Sequence, residues 1–107
     1  MAAPKTNGKV ASKDEAGFYT ETVSVRGKDY TFRELSAGDY NDLIDVFTKD
    51  DIVDSSGVTR AMAVKSLTAP VMTNDELMAL PFPVYSTLIG TVNRMHFGAR
   101  EDESPNA

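Results

Sequence analysis

His96 is the only histidine among 107 residues, and the chain has no cysteine, so His96 is the first candidate for a general base or metal ligand. Catalysis would need an oriented partner for its ring, and a metal would need three or four converging donors. Its neighbours one helical turn back are Val92 and Asn93, neither of them an acid. A protonated histidine in the last turn of a helix also interacts well with the helix dipole. A structural role is expected.

Carboxylates are the second source of chemistry. Six aspartates (Asp39, Asp42, Asp45, Asp50, Asp51 and Asp54) stand against the single cation Lys49, and this stretch alone matches the net charge of −5. A calcium loop needs oxygen ligands at alternate positions before its glycine, and Ile52 and Val53 occupy them here. The expectation is a solvated acidic loop ending in Ser55-Ser56-Gly57. The seven glycines are scattered, so no phosphate loop or dinucleotide fingerprint forms, and no serine sits in a nucleophile elbow. The residues therefore point to a non-enzymatic chain without catalytic, cofactor-binding or metal-binding residues.

Met62, Met72, Met78, Met95 and Phe82 suggest a different chemistry. Methionine adapts to irregular apolar partners and is over-used on promiscuous binding surfaces, although it also fills cores. Core filling accounts for Met95. For Met62, Met72, Met78 and Phe82, which lie near helix ends and a Pro-rich kink, core filling and partner contact both stay open.

The elements that must position these residues begin with a hairpin. Thr20 to Val25 and Asp29 to Leu35 alternate with period two around an Arg26-Gly27-Lys28 turn, so Val23, Val25, Tyr30 and Phe32 should share a face. A lone hairpin is marginal, so that face must pack on helices. Ser36 and Asp39 read as a capping box with Asp in place of Glu, opening a helix whose Tyr40, Leu43, Ile44 and Phe47 form one apolar core stripe. Asp45 and Lys49 form an i,i+4 pair on the opposite side.

Val58 to Leu67 is a second helix with a poor pattern: Ala61, Val64 and Thr68 make one stripe while Val58 and Met62 lie off it. Either this helix is buried on two sides or part of it faces a partner. Ala69-Pro70 ends it. Thr73-Asn74-Asp75-Glu76 is a full capping box for a short helix, and Pro83 opens the last one. There Val84, Tyr85, Leu88, Ile89, Val92, Met95 and His96 form one arc, with Arg94 on the other and Gly98 as a stop.

The fold class expected is α+β, an N-terminal β-hairpin packed on a bundle of three to four helices with disordered termini. Residues 1–17 and the acidic tail 99–107 carry too little apolar surface to offset ordering entropy and read as a flexible arm and tail around one globular domain, 18–98. No apolar run approaches the roughly 20 residues of a membrane span. The N-terminus lacks the apolar stretch of a secretory signal. The acidic balance argues against nucleic acid, and the last helix offers only Arg94, with Arg100 after it, as cations. A chain without cysteine suits a reducing cytoplasm.

The order of elements resembles that of tail assembly chaperones of long-tailed, siphovirus-type bacteriophages, over residues 20–97. The likeness rests on the Val23–Leu35 hairpin entering Glu34-Leu35-Ser36-Ala37-Gly38-Asp39, and on Val64-Lys65-Ser66-Leu67-Thr68. It continues in Thr73-Asn74-Asp75-Glu76-Leu77, Leu80-Pro81 and a closing helix. The resemblance implies a host-cytoplasmic factor in viral morphogenesis that binds the tape measure protein and keeps it soluble. It also implies that a frameshifted longer form contacts the tail tube protein, and it leaves the oligomeric state open. It carries no catalytic residues. The rival class is another phage interaction protein, a head–tail connector component or an inhibitor of a host protein.

Overall fold

The computed structural model describes residues 9–98. Strands β2 (Tyr19–Val25) and β3 (Lys28–Arg33) form the expected hairpin, with Val25 paired to Lys28 across a two-residue Arg26-Gly27 turn. Both turn residues have positive φ, 53° and 80°, the primed geometry whose twist matches that of the flanking strands. Val23, Val25, Tyr30 and Phe32 are all buried on one face, with Val23 opposite Tyr30. On the other face the Thr22 and Thr31 hydroxyls meet at 2.8 Å.

The assignment of residues 9–17 to a flexible arm is corrected. Strand β1 (Lys9–Lys13) pairs antiparallel with β2, from Lys9 opposite Val23 to Lys13 opposite Tyr19. Its order comes from backbone pairing, and Asp14 closes the connection. Asp14 Oδ1 accepts from the amides of Ala16 and Phe18, both at 3.0 Å, and Oδ2 accepts from Arg33 Nε at 2.6 Å. The Arg33 guanidinium in turn lies 3.9 Å over the Phe18 ring. The expectations for residues 1–8 and for the 99–107 tail lie outside the described residues.

Helix α1 (Ala37–Val46) starts where expected, with Ser36 Oγ accepting from the Asp39 amide at 3.0 Å. The reciprocal half of the capping box gives way to another contact: an Asp39 carboxylate oxygen lies 3.9 Å from Lys65 Nζ. The stripe of Tyr40, Leu43, Ile44 and Phe47 packs against the core but is only half-buried, and α1 buries no residue fully. The stripe is the core-facing side of α1 as expected, but it is only partly covered: α1 is an outer layer that rests mainly on the next helix.

What reads as an acidic loop is a second small hairpin, β4 (Thr48–Lys49) against β5 (Ile52–Val53). Asp50 and Asp51 hold positive φ at its tip, a region aspartate tolerates better than most residues.

Helix α2 (Ser55–Ser66) begins three residues earlier than expected, because Asp54 is its cap, Oδ1 accepting from the Gly57 amide at 3.0 Å. Gly57, Val58, Met62, Ala63 and Ser66 are buried, while Ala61 and Val64 turn to α1. The helix is covered on two sides, which explains why no single stripe describes it.

Beyond Ser66 the chain passes straight into β6 (Leu67–Ala69), which pairs with β3 through Phe32–Leu67 and Thr31–Ala69 across an irregular step. The result is a four-stranded antiparallel sheet of order β1-β2-β3-β6. The buried Ser66 hydroxyl donates to the Arg33 carbonyl at 2.6 Å and fixes the corner.

Helix α3 (Asn74–Met78) carries the full capping box of Thr73 and Glu76 and buries Leu77. Helix α4 (Phe82–Phe97) follows Pro81, and its Val84, Leu88, Thr91, Val92 and Met95 are buried. Phe32, Met62, Leu77, Leu88, Val92 and Met95 are the centre of the core. The architecture is α+β, a sheet with helices on one face.

Candidate partner-binding surface

Both ring nitrogens of His96 serve the fold. Nε2 accepts from the Leu35 amide at 3.0 Å, so the ring is neutral with its proton on Nδ1, which donates to the Val92 carbonyl at 2.9 Å. The ring thus ties the entry to α1 onto the end of α4. Among the described residues no cluster of three or more His, Asp or Glu is arranged to hold a metal ion.

A buried ion pair went unseen in the sequence. Glu21 shares the odd-numbered face of β2 with Val23 and Val25, so its carboxylate faces the core, where it is 1% exposed. Arg94 of α4 meets it with both terminal nitrogens, Nη1 donating to Oε1 at 3.0 Å and Nη2 to Oε2. Strand parity was the available signal: an acid in phase with two core valines requires a cation.

The four candidate partner contacts do not form one surface. Met62 is 1% exposed at the centre of the core, and its proposed contact role is corrected: α2 is covered on both sides, so a residue off one stripe lies on the other. Met72 is half-buried against the core. Met78 and Phe82 are exposed, at 52% and 74%. Each stands beside a residue that takes the inward position, Leu77 for Met78 and Val84 for Phe82. The Phe82 ring lies against Tyr85, with centroids 6.2 Å apart.

Two apolar concavities flank α1. On one side a cavity of about 450 Å³ runs between Leu43 and Phe47 of the α1 stripe and Gly57, Ala61 and Val64 of α2, with Arg60, Lys65 and Asn74 completing its lining. On the other, about 380 Å³ lies among Tyr40, Ile44, Val53, Val58, Met62 and Phe97. Val53 and Phe97 are also open to solvent. The first groove owes its shape to Gly57, whose missing side chain lets the Phe47 ring lie on α2: a Cβ there would stand 2.5 Å from Phe47 Cδ1.

Such a groove can receive apolar side chains from a partner segment and anchor its charges, which is binding chemistry. Compared with family models, with curated proteins and with solved structures, the chain matches none.

Proposed function

We propose that this protein is a binding module that holds an apolar helical segment of a larger partner, as a phage tail assembly chaperone holds the tape measure protein in the host cytoplasm. The observation that carries the reading is the open groove between α1 and α2, walled by Leu43, Phe47, Ala61 and Val64. Its walls are apolar, and exposed apolar surface of this kind marks interaction sites. The order of elements supports the choice of partner. Met78 and Phe82 add exposed apolar contacts on a second part of the surface. The net charge of −5 favours solubility of the loaded complex. Among the described residues no helix is long and apolar enough to cross a membrane.

The test is co-expression with the product of a long, helix-rich reading frame beside the gene. The partner should stay soluble and co-purify with the wild-type chain, and Val64→Asp should return it to the insoluble fraction while leaving the circular dichroism spectrum of the module unchanged. A stable closed ring formed by the chain alone, measured by light scattering, would favour the connector reading instead.

A further inference from the structure

We infer that the α1–α2 groove selects a helix carrying carboxylates beside its apolar anchors. This rests on the partner-holding role proposed above and specifies the chemistry of the partner. The chain holds 16 acidic residues against 11 lysines and arginines, yet both charged side chains lining this groove are cations, Arg60 and Lys65.

Other arginines of the fold have carboxylates: Arg33 has Asp14 and Arg94 has Glu21. Arg60 is half-buried and, among the described residues, has no carboxylate partner. Among the described residues, the carboxylate that Lys65 meets is that of Asp39, at 3.9 Å with both side chains about half exposed, a contact easily exchanged. A guanidinium stays charged and offers a planar fork suited to a carboxylate, most effectively beside an apolar wall that excludes water.

The spacing narrows the partner further. Ala61 and Val64 lie between the two cations in α2, and Lys65 follows Arg60 by five positions, about 7.5 Å along the axis and about 140° round it. A helix lying in the groove would therefore meet them with acids on the two flanks of its apolar stripe, one flank facing Arg60 and the other Lys65. Its apolar residues between those acids would face Leu43, Ala61 and Val64. Such complementarity sets partner choice and register more than raw affinity.

Two synthetic helical peptides of about 18 residues, sharing one leucine face and flanked by i,i+4 pairs of either Glu or Lys, make the probe. They are titrated into the full chain, with amide chemical shifts followed by NMR. The Glu peptide should bind about tenfold more tightly than the Lys peptide, move the Ala61 and Val64 signals, and lose that advantage at about 0.5 M salt. Arg60→Glu with Lys65→Glu should reverse the preference with an unchanged circular dichroism spectrum, and Val64→Asp should abolish binding of both peptides.

Equal binding of the two peptides in the groove would overturn the charge selection and leave the partner-holding role standing. Failure of both peptides to bind, or binding insensitive to Val64→Asp, would overturn the groove itself. A dimer of the chain alone, dissolved by Asp42→Lys with Asp45→Lys on the exposed side of α1, would assign the groove to a second copy and overturn the inference.

Discussion

The Glu21 carboxylate of β2 and the Arg94 guanidinium of α4 form a two-pronged ion pair across the sheet–helix interface. The pair is asymmetric, since the Glu21 side chain is fully buried and the Arg94 side chain is 40% exposed. Removing the cation leaves an uncompensated buried charge, which costs more than the pair itself contributes. Arg94→Met should lower stability by about 3 kcal/mol in urea unfolding, toward the lower end of the range for such pairs because Arg94 is partly hydrated. The double change Glu21→Leu with Arg94→Met should recover most of that loss. Additive losses in the two single variants would refute the coupling.

Met62 and Phe82 separate core from surface. Met62→Ala should cost about 2–5 kcal/mol, the usual range for a large buried side chain. Phe82→Asp should change stability by no more than about 0.5 kcal/mol, because its ring is 74% exposed. Thermal unfolding of the two variants distinguishes them directly, and a large loss for Phe82→Asp would place that ring in the core.

The legible parts of the fold are those in which one period holds on one surface. The hairpin is such a case: Val23, Val25, Tyr30 and Phe32 alternate around a glycine turn and are all buried. Thr73 and Glu76 announce α3 because both halves of their capping box lie in four consecutive residues.

Strand β1 was hidden because Ala11 and Ser12 carry no strong apolar signal, and its order comes from backbone pairing and Asp14. Strand β6 is three residues long and buries only Leu67. The candidate site is less legible than the fold. Met62 reads equally as core or contact and the groove leaves no periodic signal, both because α2 answers to the sheet on one side and to α1 on the other.

Acid should loosen the β1–β2 connection first. The hydrogen bond from Arg33 holds the Asp14 carboxyl below its ordinary value of 3.8; partial burial opposes this, and the Phe18 and Ala16 amides reinforce it. Because the folded value is the lower one, the stabilisation is complete above the unfolded value and is lost as pH falls through the folded one. Amide protection of residues 11–18 should therefore drop below about pH 4, ahead of the protection of β3. Asp14→Asn should weaken that protection at neutral pH and remove its dependence on acid. An unchanged acid profile in Asp14→Asn would assign the effect to another carboxylate.

The seat of α1 depends on a glycine. Alanine is the better helix former by about 1 kcal/mol, so Gly57→Ala at an unconstrained position of α2 should stabilise the protein. Here the new Cβ would stand 2.5 Å from Phe47 Cδ1 and 2.6 Å from the Asp54 carboxylate that caps the helix. The ring has to move, and α1 buries no residue fully that would hold it in place. Gly57→Ala should therefore destabilise by about 1–3 kcal/mol, the usual range for overpacking, and should speed hydrogen exchange in α1 before it affects α4. Phe47→Ala alone should cost less than the about 3–5 kcal/mol of a fully buried phenylalanine, because its ring is only half-covered. Combining the two changes removes the clash with the ring, so the double variant should be more stable than the sum of the single losses allows. Strict additivity in that double-mutant cycle would show that Phe47 does not rest on Gly57 in solution and that the groove has a different shape.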